Sequence, residues 1–220
     1  PSWVGDMVMA QTLFQCLKQR HPQCEIDVLA PEWSRPILER MPEVRKALSF
    51  PLGHGVLELA TRRRIGKSLA GQYDQAILLP NSLKSALVPF FARIPKRTGW
   101  RGEFRYGLLN DVRTLDKERY PLMIERFMAL AYEPGAELPK PYPRPSLAID
   151  PVTREAALAK FGLSLDRPVL ALCPGAEFGE SKRWPAEHYA QVAEAKIREG
   201  WQVWLFGSKK DHPVGEDIRS

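Results

Sequence analysis

Short apolar runs alternate along the chain with longer segments in which apolar residues recur every three or four positions. Three of the short runs are almost continuously apolar: 26–30, 76–79 and 169–173. Such runs are typical of parallel strands that are covered on both faces. The segment from Asp6 to Arg20 places Met9, Leu13 and Leu17 on one face and predicts an amphipathic helix. The alternation predicts an α/β fold with parallel sheets.

A composition shift divides this pattern at Leu138–Pro145, where four of eight residues are proline. Proline cannot continue a helix or occupy the middle of a sheet, so this segment predicts an interdomain linker. After it the pattern restarts with a helix and two strands, at 169–173 and 201–206, which are too few for an independent sheet. We predict three parts: a domain at 1–140, a linker at 141–150 and the beginning of a second α/β domain at 151–220.

Further helices are predicted at about 32–40, 57–70, 82–92, 119–132 and 152–161. The chain opens on Pro1 without a methionine and ends in a polar stretch at Ser220. We therefore expect it to be a fragment of a longer protein.

The composition of the 220 residues, 44% hydrophobic and 26% charged, is that of a folded globular protein. No run of about 18 apolar residues is present that could cross a bilayer. The 32 basic and 26 acidic residues leave a net charge of +6, which favours an anionic partner without choosing among nucleic acid, nucleotide, lipid headgroup or phosphorylated glycan. The three cysteines form no paired framework, which indicates a reducing compartment.

The first candidate for chemistry is Gly5-Asp6, at the predicted start of the first helix. Asp6 falls at the N-cap or in the first turn, where free N–H groups stabilise an anion. One interpretation is a helix cap. The other is a general base at a strand-to-helix turn, where α/β sheets bind ligands.

Basic residues collect in two further places, the arginine run 62–64 and the segment from Lys96 to Arg105, which we predict to be a loop. Charge runs usually form a solvated helix face, but a loop with glycines, Trp100 and several arginines could bind phosphate or carboxylate. Basic residues around Trp100 could also bind single-stranded nucleic acid, although no nucleic-acid-binding motif supports it.

The third candidate is the segment 173–185, which links a predicted strand to a helix. Phosphates bind at this position in open α/β sheets. The segment matches neither GxGxxG nor the P-loop pattern, and Lys182-Arg183 could be ordinary surface charge. The four histidines show no metal-ligand spacing, and the chain has no Asp-x-Asp pair, so no metal is predicted.

Five blocks of sequence together resemble one known family. They are Pro1–Met7, Leu79–Ala86, Arg97–Gly102, Arg105–Asp111 and Pro174–Gly179 with Lys182–Pro185. In this order they closely resemble the family 9 glycosyltransferases of Gram-negative bacteria, over essentially the whole chain. The resemblance implies a GT-B architecture of two Rossmann-like domains, with the acceptor on the first and the nucleotide sugar on the second, here truncated.

The resemblance also implies roles for individual residues. Asp6 matches the proposed catalytic base, and Lys182 matches a lysine beside the donor diphosphate. Gly175, Ala176 and Ser181 accompany it as donor-binding candidates. The candidates for binding the anionic acceptor are Arg62, Arg63, Arg64, Lys84, Arg97 and Arg101. The family's first strand and its Asp-Ser-Gly-x-x-His nucleotide segment have no counterpart in the chain.

The function implied is inverting transfer of L-glycero-D-manno-heptose from ADP-heptose to the first heptose of the Kdo2–lipid A inner core. ADP-heptose is a substrate here, and no cofactor is expected. The heptosyl-Kdo2-lipid A acceptor implies a cytoplasmic protein in peripheral contact with the inner membrane. A sister enzyme that adds the first or a branching heptose is the alternative, and a basic nucleic-acid-binding module is a more remote one.

Overall fold

The computed structural model describes residues 1–51, 56–176 and 179–220. They form two compact units, Pro1–Ile149 and Asp150–Ser220. The strands of the first unit are β1 (Ile26–Ala30), β2 (Val44–Ser49), β3 (Gln75–Leu78), β4 (Lys96–Trp100) and β5 (Asp111–Arg113). Its helices are α1 (Val4–Arg20), α2 (Arg35–Leu38), α3 (Leu59–Ser68), α4 (Leu87–Phe91) and α5 (Met123–Met128). The second unit contains α6 (Pro151–Phe161), β6 (Val169–Leu172), α7 (Ala186–Arg198), β7 (Gln202–Leu205) and α8 (His212–Arg219).

Every strand pairing is parallel among these elements. In the first unit β1 pairs with β2, and β4 lies between β3 and β5. In the second unit β6 pairs with β7. Helices or short 3₁₀ turns separate most of the paired strands, as parallel pairing requires a crossover. The predicted α/β fold with parallel sheets is confirmed.

The core of the first unit forms where α1 packs against α5. Met7, Leu13 and Cys16 of α1 are at most 1% exposed, and they share one cluster with Phe127 and Met128 of α5. The predicted helix is confirmed, and it begins at Val4 and ends with His21 as its C-cap. Of the predicted face, Leu13 is buried, whereas Met9 and Leu17 are half-buried and pack against the core cluster. Packing of this face fixes the position of the first turn of α1, which carries Asp6.

The prediction of a loop over Lys96–Arg105 is wrong for its first half, because Lys96–Trp100 is the central strand of a sheet. Thr98, Gly99 and Trp100 are buried there. The strand has two charged residues at its start and a glycine inside it, so it lacks the apolar run that marked the other strands. The true loop after this strand begins at Arg101.

The proline-rich segment is fastened to the first unit by side chains. The Tyr142 hydroxyl donates to Glu125 at 2.5 Å, and Gln11 exchanges two hydrogen bonds of 2.9 Å with the backbone of Ser146. The hydrogen bond from Tyr142 holds the pKa of Glu125 below its usual value. The compact-unit boundary lies after Ile149. The roles assigned to the domains remain predictions.

No helix within residues 1–51, 56–176 and 179–220 is long and apolar enough to span a membrane.

Candidate functional site

The first turn of α1 lies at the carboxyl end of β1. The indole of Trp33, in the 3₁₀ turn directly after β1, donates to the carbonyl of Ser2 at 2.9 Å. This contact places the start of α1, and with it Asp6, beside the carboxyl edge of the sheet. Ligands of open α/β sheets bind at that edge.

Asp6 is the third residue of α1, and the N-cap position belongs to Trp3. The side chain of Asp6 is half-buried. It accepts no side-chain hydrogen bond and forms no salt bridge within the described parts of the chain. The interpretation of Asp6 as an N-cap therefore does not fit its position. Its role as a base remains a prediction.

Arg62 is buried at 3% exposure, unlike the other residues of its arginine run. Its guanidinium donates to the carbonyls of Val56, Leu57 and Lys84 at 2.9, 2.5 and 3.1 Å. The guanidinium also lies 5.0 Å from the ring centroid of Phe50. Burial lowers the pKa of Arg62. Because its donors are committed to backbone carbonyls, the structure supports a structural role rather than acceptor binding.

Arg97 lies at the amino end of β4, opposite the edge where ligands bind. Its side chain donates to the carbonyls of Leu108 and Ile94 at 2.7 and 2.6 Å. The guanidinium is also within 5.9 Å of the ring centroid of Phe90. This placement does not favour Arg97 as a ligand of the acceptor.

Four of the predicted acceptor residues keep accessible side chains. Arg63 and Arg64 are exposed on α3, where they line a shallow cavity of about 300 Å³ with Ala60 and Lys67. Arg101 is exposed directly after β4, and Lys84 is half-buried in the 3₁₀ turn that follows β3. The carboxyl ends of β3 and β4 are adjacent in the sheet, so Lys84 and Arg101 belong to the same edge.

Trp100 is buried at 6% exposure. Its indole N–H donates to the carbonyl of Arg126 at 3.2 Å, and its ring lies 6.3 Å from that of Tyr120. A buried indole cannot stack on a nucleic acid base. Trp100 is therefore not available to stack on a base, and it does not support nucleic acid binding.

The candidate donor segment follows β6 in the second unit. Pro174 is buried, Gly175 and Ala176 are half-buried, and Ser181 and Lys182 are exposed. Arg183 donates to the carbonyl of Ala176 at 3.1 Å. Glu177 and Phe178 of the predicted motif lie outside the described residues. The side chain of Lys182 forms no hydrogen bond or salt bridge with any residue that the structure describes.

Sequence reasoning missed Asp211, which packs against this segment. A Cβ added to Gly175 would lie 2.3 Å from the Asp211 carboxylate, so a larger residue there would displace the Asp211 side chain. The Ser208 hydroxyl and amide both donate to Asp211 at 2.7 Å, and these bonds lower the pKa of Asp211. Ser208-x-x-Asp211 is the pattern of a capping box after a strand. This pattern could have identified Asp211 as a residue close to the donor segment.

The described residues contain no group of three or more His, Cys, Asp or Glu side chains that could hold a metal ion. The donor segment instead offers exposed cations and backbone N–H groups, which can neutralise a diphosphate. Independence from metal remains a prediction.

These features define an α/β protein with parallel sheets, in which Asp6, Lys84 and Arg101 lie at the carboxyl edge where such sheets bind their ligands. The model of glycosyltransferase family 9 (heptosyltransferase) matches residues 62–220, and the chain belongs to this family.

Relatives support this assignment along the whole chain. Lipopolysaccharide heptosyltransferase 2 of Salmonella typhimurium is 57% identical over 99% of this chain and 64% of its own length. Lipooligosaccharide heptosyltransferase 2 of Haemophilus influenzae is 56% identical over 100% of this chain and 65% of its own length. The chain thus spans a little under two thirds of these curated relatives.

The solved structure of Escherichia coli ADP-heptose lipopolysaccharide heptosyltransferase II matches 99% of this chain and 66% of its own, with a TM-score of 0.89 and 54% identity. A family 9 glycosyltransferase from Veillonella parvula matches 99% of this chain and 64% of its own with a TM-score of 0.81 at 17% identity. The second likeness shows the shared fold alone.

Proposed function

We propose that the chain forms the acceptor-binding part and the beginning of the donor-binding part of an inverting heptosyltransferase. The reaction moves L-glycero-D-manno-heptose from ADP-heptose to the first heptose of the lipopolysaccharide inner core. The observation that carries the proposal is the 57% identity over 99% of the chain to a lipopolysaccharide heptosyltransferase 2. The half-buried carboxylate of Asp6 at the carboxyl edge of the sheet supplies a group that suits the chemistry.

The reaction proceeds by one displacement. Asp6 takes the proton from the acceptor hydroxyl while that oxygen attacks the anomeric carbon of the donor. The bond from the anomeric carbon to the phosphate oxygen breaks, and its electron pair leaves with ADP. Lys182 and nearby backbone N–H groups offset the charge that develops on the departing diphosphate. A single attack from the side opposite the leaving group inverts the configuration.

The acceptor proposed here carries phosphate and carboxylate groups. Arg63, Arg64 and Arg101 are exposed cations of the first unit, and guanidinium groups bind both kinds of anion through paired hydrogen bonds. We place the protein in the cytoplasm, in peripheral contact with the inner membrane where a lipid-linked acceptor would lie.

A sister activity, addition of the first or of a branching heptose, would use the same fold and the same base. The names of the relatives favour the second heptose. Paired acceptors discriminate between addition of the first and of the second heptose: one that ends in Kdo, and one that carries a single heptose on Kdo. Transfer to the heptosylated acceptor alone supports the proposal, whereas transfer to the Kdo-terminated one alone would assign the first heptose.

The experiment that tests the proposal uses a protein of the relatives' full length that contains these 220 residues. The unchanged protein should transfer heptose from ADP-heptose, and Asp6→Asn should lower kcat by about 10²–10⁴-fold because general-base assistance is lost. The KM for ADP-heptose should stay within about twofold, since a neutral amide of the same shape leaves the helix intact. Near-normal turnover of Asp6→Asn would show that another group takes the proton.

A further inference from the structure

Arg105 is a buried arginine that the reaction described above does not use. It follows β4 and is 2% exposed. One terminal nitrogen of its guanidinium donates to the carbonyl of Pro80 at 2.8 Å and to the hydroxyl of Ser85 at 3.1 Å. The other donates to the Asn81 side-chain oxygen at 3.3 Å and to the carbonyl of Trp100. The side chain therefore joins the loop after β3 to the end of β4.

The carboxylate and the amide of Glu103 hold the same two loops together. The Glu103 carboxylate accepts from the amide of Leu83 at 2.7 Å, and the amide of Glu103 donates to the carbonyl of Asn81 at 3.0 Å. A Cβ added to Gly102 would lie 2.2 Å from that same carbonyl. The loops approach so closely that no other residue than glycine fits at position 102 without displacing one of them.

The contacts of Arg105 leave it no means of binding an anion itself. Its four terminal N–H groups have acceptors within the protein. Its Nε is buried without a hydrogen-bond partner. No carboxylate forms a salt bridge with Arg105 among the described residues, and burial lowers the pKa of its guanidinium. Burying an arginine without a paired carboxylate carries a desolvation cost, which the hydrogen bonds to the two loops offset.

What Arg105 holds in place is the pair of loops that carry accessible cations. Lys84 lies in the loop after β3, between Leu83 and Ser85, both of which take part in these contacts. Arg101 follows Trp100, whose carbonyl accepts from Arg105, and its own amide donates to the carbonyl of Arg113 at 2.5 Å. The backbone on both sides of each cation is thus fixed.

We propose that Arg105 is a positioning residue, which fixes the loops after β3 and β4 so that Lys84 and Arg101 meet an anionic acceptor at a preset separation. This inference rests on the proposed function and names a determinant of its acceptor site. Loops that are ordered before binding lose less conformational freedom when the acceptor binds. Loosening them therefore weakens acceptor binding and leaves the donor site unaffected.

The test compares Arg105→Lys and Arg105→Met in a protein of the relatives' full length, with ADP-heptose and a heptosylated Kdo acceptor. Lysine keeps the charge, but its single ammonium group cannot reach all four acceptors that surround the planar guanidinium of Arg105. The acceptor KM should rise about tenfold in Arg105→Lys and further in Arg105→Met, because small displacements of positioning groups have large effects. The KM for ADP-heptose should stay within about twofold.

Leu38→Ala is the matched control for lost stability. Leu38 is 1% exposed in α2 and belongs to the core cluster, and it forms none of the hydrogen bonds that hold the two loops together. Its truncation should lower the thermal midpoint as much as Arg105→Lys does and leave the acceptor KM unchanged. A second readout needs no activity: the amides of residues 81–85 and 101–105 should exchange hydrogen faster in Arg105→Lys than in Leu38→Ala.

Three results overturn the inference. One is an acceptor KM in Arg105→Lys equal to that of the unchanged protein. Another is a parallel change in kcat and both KM values, which would indicate general loss of structure. The third is unchanged hydrogen exchange of the two loops. If Arg105→Met does not fold, Glu103→Gln removes the charged acceptor of the Leu83 amide and should raise the acceptor KM by a smaller factor. Absence of transfer by the unchanged protein would instead overturn the proposed function, and hydrogen exchange would still decide whether Arg105 orders the loops.

Discussion

Arg62 and Arg63 are neighbours in the chain but lie in opposite environments. Arg62 is buried and donates to three backbone carbonyls, whereas Arg63 is exposed on the same helix. Successive residues of a helix point about 100° apart, so only one of the two can face the protein. The contacts of Arg62 join the start of α3 to the loop that carries Lys84.

This difference predicts opposite results for two alanine variants. Arg62→Ala leaves the carbonyls of Val56, Leu57 and Lys84 without their donors, so the free energy of unfolding should fall by about 1–3 kcal/mol. Arg63→Ala should change it by less than about 0.5 kcal/mol, as is usual for exposed positions. Urea unfolding at pH 7 measures both. Equal effects would show that the hydrogen bonds of Arg62 add nothing to stability.

Residue types and spacing located the cations but could not tell which ones face solvent. Arg62, Arg97 and Arg105 use their guanidinium groups on backbone carbonyls, and Arg101 remains exposed. The sequence around an arginine at a strand end does not show whether its side chain binds a ligand or the backbone of a neighbouring loop. The direction in which Arg62 faces depends on its position around the helix, and the contacts of Arg105 depend on the path of the loop. Both are known only from the three-dimensional structure.

At the scale of elements, one charged cluster joins β1 to β2 and to the start of β3. Asp27 of β1 accepts two hydrogen bonds from Arg45 of β2, at 2.8 and 2.6 Å, and one from the Tyr73 hydroxyl at 2.7 Å. These bonds, that from Arg45 first, lower the pKa of Asp27. Burial and the bond to Asp27 raise the pKa of Tyr73 to about 12.

The two shifts predict a stability that depends on pH at both extremes. Because the pKa of Asp27 is lower in the folded state, its contribution is present above about pH 4 and is lost as the pH falls through the folded value. Because the pKa of Tyr73 is raised, its contribution is present below about pH 10 and is lost as the pH rises through the folded value. Urea unfolding from pH 3 to 7 should show a smaller loss on acidification for Asp27→Asn than for the unchanged chain.

Tyr73→Phe provides the matched variant for the alkaline side. It keeps the ring and removes the hydroxyl, so the decline in unfolding free energy above about pH 10 should become shallower. Identical acid profiles for Asp27→Asn and the unchanged chain would contradict the role assigned to the Asp27 cluster.

Elements with a clear hydrophobic period were predictable, and those built from polar segments were not. The strands β1, β3, β6 and β7 and the helices α1 and α6 lie where the pattern places them. The strands β2, β4 and β5 were missed. Each carries arginine or lysine within a short strand, and pairing with its neighbour stabilises it more than its own composition does.

At the scale of the whole molecule, the net charge of +6 does not show which arginines are paired with carboxylates and which are not. Arg154 and Arg198 of the second unit are paired with Glu155 and Glu194. Arg63, Arg64 and Arg101 of the first unit form no salt bridge with any other residue in the described ranges. Three unpaired cations of one unit give it a local field that the total charge does not convey.

Neutralising these three cations should weaken binding to anionic membranes. Each basic residue near such a surface contributes about 1 kcal/mol, so changing Arg63, Arg64 and Arg101 to glutamine should lower the affinity for phosphatidylglycerol vesicles by roughly 100-fold at low salt. Added salt should weaken the unchanged protein in the same direction. Vesicle sedimentation measures both effects.

The matched control changes Arg154, Arg198 and Arg219, which have carboxylate partners in the second unit, to glutamine. It removes the same formal charge and should change vesicle binding much less. Equal loss in the two triple variants would mean that only the total charge matters and that no face of the first unit is directed to the membrane.

The fastening of the proline-rich segment has a mechanical consequence. Ala148 donates to the carbonyl of Arg40 at 2.7 Å, and two residues earlier Ser146 is held by the side chain of Gln11. A force that pulls on residue 150 acts first on the hydrogen bond of Ala148 and then on those of Ser146. Gln11 lies five residues along α1 from Asp6, about 7.5 Å on a helix. A force applied to the chain at residue 150 should therefore act on the bonds of Ala148 and Ser146 before it reaches the first turn of α1.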